Sequence, residues 1–270
     1  METTFVNVGE YRFQIIDTPR FYEDRIYSRK FTIEGNLLDC FNVSVFYDEN
    51  ENPLSAKAMY DPECPYDTQC PGSIPMMKTL FQHIHRLFPQ INLLHFDDML
   101  AIEWNEKTIP LYYFSIAFNG STWYEVFFNA RQKDAQQHEA YRTRINNLLH
   151  TQEYKSGLSF WEFLTYAVPY FEREEQIKEL QQYYERATTL GEFFQSIPHS
   201  ERFRVVGKWV SPFMRRQLQD VFSNTNWVID LSDFTPTKNT QEYYCPGEIV
   251  CYFTDGQNLG LTIDDCFWDD

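Results

Sequence analysis

Cysteine and histidine are the side chains with which this chain could do chemistry most directly, and their spacing sets how far each can go. Five residues separate Cys64 from Cys70, and five separate Cys245 from Cys251. Four thiolates can hold zinc, but structural zinc sites ordinarily put roughly two to four residues between paired cysteines. Buried, reduced thiols are therefore the expectation, and zinc the lesser reading. Together with Cys40 and Cys266 they make six cysteines in 270 residues, too sparse for a disulfide scaffold. His83 and His85 stand two apart in a helical pattern and point to different faces, which does not suit a shared metal. His95 precedes Asp97-Asp98, where a His-Asp pair would make a general base and a satisfied core-edge histidine is the competing reading. No Gly-x-Ser-x-Gly, Walker or His-Glu-x-x-His pattern is present.

The elements that must position these groups follow from periodicity. Residues 4–8, 11–16, 41–47 and 54–60 read as strands, the last two joined by the polar turn chemistry of Asp48 to Pro53 into a hairpin. Thr18-Pro19 is expected to start a short helix reaching Arg29. Residues 61–75 hold four prolines and a glycine and read as a loop. Ser73-Ile74-Pro75 then opens a helix in which Met77, Leu80, Phe81, Ile84, Leu87 and Phe88 recur at three and four residues until Pro89. A short strand over 91–96 follows, and strands linked by a helix usually lie parallel.

Residues 108–118 are apolar nearly all round, with Thr108 as cap and Pro110 in the first turn, and end at Asn119-Gly120. About ten residues is half of what a bilayer requires, so this is a core helix. Thr122 and Glu125 stand in capping-box relation and start the next helix; Ser159/Glu162 and Thr189/Glu192 repeat the signal. Residues 135–150 carry Tyr141, Ile145, Leu148 and Leu149 on one stripe, 171–187 form another amphipathic helix, and Ser211-Pro212 is expected to start one more, through Val221. Strands return at 227–231, 248–253 and 259–263, the last two linked by a turn over 254–257. The expected fold class is α/β (α+β overall), with residues 1–150 as one region and 151–270 as a helical region with a C-terminal hairpin, continuous with the first or separate. The nearest approach to a boundary is 151–157.

Composition narrows the function classes. Aromatic residues are 18% of the chain, enough for a large ring-rich core, so extensive disorder is not expected. A formal charge of −16 repels phosphate backbones, which argues against nucleic acid and leaves a basic protein partner or simple solvation of the surface. The opening residues have neither a basic nor an apolar signal region, and no window reaches membrane-spanning length, so a cytoplasmic protein without a membrane partner is expected.

Taken in order, the hairpin, the glycine-containing loop, helix, strand and helix, then Thr122-Trp123-Tyr124-Glu125-Val126-Phe127-Phe128, resemble a diverged N-acetyltransferase of the GNAT type over residues 40–131. That resemblance implies a loop whose amides hold the pyrophosphate of acetyl-CoA at a helix N-terminus, with Gln69, Gly72 and Ser73 at the cofactor, and Tyr124 as the acid that protonates the leaving thiolate. Segments around Trp123, the Tyr141 helix and Phe193-Phe194-Gln195-Ser196-Ile197-Pro198 also resemble uncharacterised proteins of large DNA viruses of eukaryotes.

Pro71 and Pro75 supply no amide to a phosphate, and the acidic surface is poor for CoA. The leading expectation is therefore a catalytically degenerate interaction or structural protein on an acyltransferase-like fold, using no cofactor. The alternative is an active acetyl-CoA-dependent N-acetyltransferase acting on a cationic acceptor.

Overall fold

The computed structural model describes residues 2–8, 11–34, 41–60, 73–96, 101–104, 107–167, 174–218 and 226–234. The protein is mixed α/β. In chain order the strands are β1 (Glu2–Val8), β2 (Tyr11–Tyr22), β3 (Arg25–Glu34), β4 (Phe41–Tyr47), β5 (Pro53–Tyr60), β6 (Leu93–Phe96), β7 (Ala101–Trp104), β8 (Lys107–Pro110), β9 (Arg131–Gln132) and β10 (Trp227–Asp230). The helices are α1 (Ser73–Leu87), α2 (Leu111–Asn119), α3 (Trp123–Phe128), α4 (Ala135–His150), α5 (Gln152–Ser156), α6 (Phe160–Leu164), α7 (Glu174–Arg186), α8 (Leu190–Ser196) and α9 (His199–Leu218). Among the described residues the chain divides into two compact units, the first built from residues up to 96 and the return at 226–234, the second from residues between 101 and 218. Residues 151–157, the expected boundary, lie inside the second unit.

In the first unit the strand order is β1-β2-β3-β4-β5-β6-β10. Every neighbouring pair is antiparallel except β5 and β6, which the α1 crossover makes parallel as expected. One face carries Ile15, Phe31, Ile33, Val43, Val45 and Ala56, all buried, and α1 covers it with Leu80, Phe81 and Ile84. Ring contacts hold the layers together: Phe31 to Phe88 at 5.7 Å, Phe41 to Phe81 at 5.9 Å, and Phe81 to Phe234 of the 3-10 turn Leu231–Phe234 at 5.4 Å.

The helix expected from Thr18 to Arg29 is absent; these residues form the end of β2, a two-residue turn and the start of β3. Two features override the helix signal. Glu23 and Asp24 both adopt positive φ, 49° and 64°, the conformation that matches the twist of a two-residue hairpin. The β1 ladder stops at Asp17, so β2 is an edge strand at Pro19 and the missing N–H interrupts no second ladder.

The second unit is helical, and β7 and β8 form a separate antiparallel hairpin in it. Thr108, expected as the cap of the apolar helix, lies in β8, and Pro110 takes the N-cap place of α2. Residues 113–118 of α2 are all buried, and Gly120 closes the helix at φ 68°. Phe163 of α6 lies at the centre of this core, 4.9 Å from the rings of Tyr184 and Trp209, 5.1 Å from Phe193 and 5.2 Å from Phe213. The helix expected to begin at Ser211 is instead the C-terminal part of α9, with Pro212 in its interior. An interior proline costs about 3 kcal/mol. Full burial of Trp209, Val210, Phe213, Met214 and Leu218 on the same helix, at about 1.5–3 kcal/mol each, outweighs it. The strands expected over 248–253 and 259–263 lie outside the described residues.

Candidate functional site

Tyr124, the candidate general acid, lies among the described residues. It sits on α3, which starts at the capping box: Thr122 Oγ1 accepts from the Glu125 amide, and a Glu125 carboxylate oxygen accepts from the Thr122 amide at 2.8 Å. The helix ends after six residues at Asn129, in the left-handed conformation at φ 51°, and the amide of Ala130 donates to the Tyr124 carbonyl. This short helix is aromatic on its inner side. Tyr124 is 7% exposed, with its ring 5.0 Å from that of Trp123 and 6.1 Å from that of Phe128.

Glu125, the next residue, anchors the region. Tyr141 Oη donates to Glu125 Oε2 at 2.6 Å, and Arg142 donates to Glu125 Oε1 at 3.3 Å, to the Gly120 carbonyl at 2.7 Å and to Ser121 Oγ at 2.9 Å. His138 accepts from the Gln132 amide through Nδ1 at 3.3 Å, and burial holds its pKa below the ordinary histidine value, with the Glu125 charge opposing the shift. The cluster ties α3 to α4, and the carboxylate that binds them is already satisfied by three donors. Spacing did not reveal the partnership, since sixteen positions separate Glu125 from Tyr141.

Of the residues that the acetyltransferase resemblance places at the cofactor, Gln69 and Gly72 lie outside the described residues. Ser73 is the first residue of α1. It belongs to the first unit and Tyr124 to the second. The strands leading to that region pair in parallel over two residue pairs, Ala56 with Leu94 and Lys57 with His95, while β5 runs on to Tyr60.

The histidines weighed in the sequence, His83, His85 and His95, lie on α1 and β6. His83 is buried on α1 against Phe31 at 6.1 Å, with its Nδ1 accepting from Arg86 at 3.1 Å. Its pKa is lowered by burial and by Arg86. His85 is partly exposed on the same helix, and His95 lies in β6. All six cysteines, and Asp97 and Asp98, lie outside the described residues. Among the described residues no group of three or more His, Cys, Asp or Glu side chains is arranged to hold a metal ion, and no helix is long and apolar enough to cross a membrane. Sequence reasoning missed the Asp17–Arg29 pair, in which the guanidinium meets both carboxylate oxygens across the β2–β3 ladder beside Phe31.

Comparison of the chain with protein-family models, with curated proteins and with solved structures gave no match.

Proposed function

We propose that this chain is a non-catalytic interaction protein on an acyltransferase-like α/β fold. The burial of Tyr124 carries the reading. A general acid must reach the atom it protonates, and this residue is buried, with its ring beside those of Trp123 and Phe128 as a core aromatic. The charge of −16 adds support, because a cofactor rich in phosphate is repelled by such a surface. Calorimetric titration with acetyl-CoA tests it: no heat of binding at millimolar cofactor is the expected result, and micromolar binding that Gly72→Pro abolishes would replace this reading.

An active acetyl-CoA-dependent N-acetyltransferase is the second reading, favoured by the β5–α1–β6 unit. There a helix N-terminus at Ser73 follows a strand whose parallel partner pairs with it over only two positions. Such an N-terminus can receive a pyrophosphate. Tyr124→Phe would lower turnover of a cationic acceptor severalfold or more under this reading, and would change only stability under the first.

A further inference from the structure

Two neighbouring hairpins of the first unit turn at the same end of the sheet, and each carries a one-residue bulge next to its turn. In the β2–β3 pair, Arg20 opposes Ser28 and Phe21 opposes Ile26, so Tyr27 is the extra residue. In the β4–β5 pair, Phe46 opposes Ser55 and Tyr47 opposes Pro53, so Leu54 is the extra residue. Ser28, Phe46 and Ser55 form one continuous row across β3, β4 and β5. Tyr27 and Leu54 therefore flank that row on either side of β4, two strand spacings or about 10 Å apart.

A bulge re-aims a side chain, and both of these aim a large apolar group at solvent: Tyr27 is 43% and Leu54 69% exposed. Phe21 and Tyr22, at 60% and 68%, extend the same end of the sheet. Singly exposed apolar residues are ordinary on protein surfaces, whereas a group of them at one sheet end marks an interaction surface.

The tips are also held in shape. Glu23 and Asp24 occupy a tight two-residue turn. Asp48 Oδ1 accepts from the amides of Asn50 and Asn52, both at 2.8 Å, and Glu51 reaches across to accept from the Ile26 amide at 3.4 Å. An apolar surface that is ordered before binding loses less entropy on docking. Its rim is acidic: over 20–27 and 47–54 stand Glu23, Asp24, Asp48, Glu49 and Glu51, against Arg20 and Arg25.

We infer that this end of the sheet docks a basic, amphipathic protein segment, its apolar side chains on Tyr27 and Leu54 and its cations among the five carboxylates. A second copy of the chain fits poorly, because each copy brings its own charge of −16 to the contact. The inference rests on the reading of the chain as an interaction protein and adds the surface and the chemistry of the partner.

The test uses a labelled amphipathic peptide of Lys and Leu alone, with its Glu/Leu counterpart as control, titrated by fluorescence anisotropy into the full chain. Tyr27→Ser/Leu54→Ser leaves the net charge unchanged, so it separates docking from general attraction to an acidic protein. The expected result is binding of the basic peptide only, about tenfold weaker in the double variant, as removal of two anchoring side chains implies. Glu49→Lys, at an exposed turn residue, is expected to weaken binding with the apolar pair intact, which guards against a folding defect in the double variant. Equal affinity for wild type and both variants, or no binding of the basic peptide, overturns the inference. So does concentration-dependent self-association in sedimentation velocity that the double variant abolishes, since the surface would then belong to a second copy. Acetyl-CoA calorimetry on the same double variant reads the functional proposal separately, because neither bulge residue is placed at the cofactor by the acetyltransferase resemblance.

Discussion

Tyr141 on α4 donates its hydroxyl to Glu125 on α3 at 2.6 Å, to the carboxylate oxygen that also accepts from the Thr122 amide. One oxygen thus caps a helix and ties it to the next. Tyr141→Phe keeps the buried ring and removes this charge-assisted bond, so a loss of about 1.5–3 kcal/mol is expected in urea denaturation. Arg142→Met is expected to cost under about 1 kcal/mol, because its side chain is 43% exposed and water replaces it. A larger effect at Arg142 than at Tyr141 would contradict this arrangement.

Gly191 and Gly120 should respond differently to substitution. A Cβ on Gly191 would meet the Leu149 carbonyl oxygen at 2.9 Å, so Gly191→Ala forces α8 and α4 apart at a cost of about 1–3 kcal/mol. At Gly120 the nearest atom is 3.9 Å away and space is not limiting; the positive φ of 68° is. Gly120→Ala is expected to cost about 1 kcal/mol and Gly120→Asn less, since Asn tolerates the left-handed region. Thermal melts of the three variants check the order.

Pro212 is exposed in the interior of α9 and denies the helix one backbone bond. Pro212→Ala is expected to raise stability by up to about 3 kcal/mol. A destabilised variant would mean that the proline sets a bend on which the packing of Trp209 and Phe213 depends.

Stability should fall as pH drops below 6.5. His83 and His138 both have folded pKa values lowered, chiefly by burial, with Arg86 also disfavouring the His83 cation and Asp17 and Glu2 favouring it. The unfolded chain therefore takes up protons first, and stability present above the unfolded value of about 6.5 is lost as pH falls towards the folded values. His83→Leu is expected to flatten this slope in urea denaturation at pH values on either side of 6.5. An unchanged slope in that variant would assign the effect to other groups.

What the sequence determined by itself was local. The three capping boxes at Thr122, Ser159 and Thr189, the buried stripe of α4 and the β4–β5 hairpin all formed as expected, because each depends on residues within a few positions of one another. The parallel pairing of β5 and β6 was legible too, from the helix between them. Tertiary structure decided where local signals competed with distant ones. Pro19 became part of a strand because β1 stops short of it, and Pro212 stayed inside a helix because five buried neighbours outweigh one lost bond. It also enclosed Tyr124 in a ring cluster, joined Glu125 to Tyr141, and turned Tyr27 and Leu54 outward through two bulges. Burial and register are sums over contacts between residues far apart in the chain, and no window of sequence contains them.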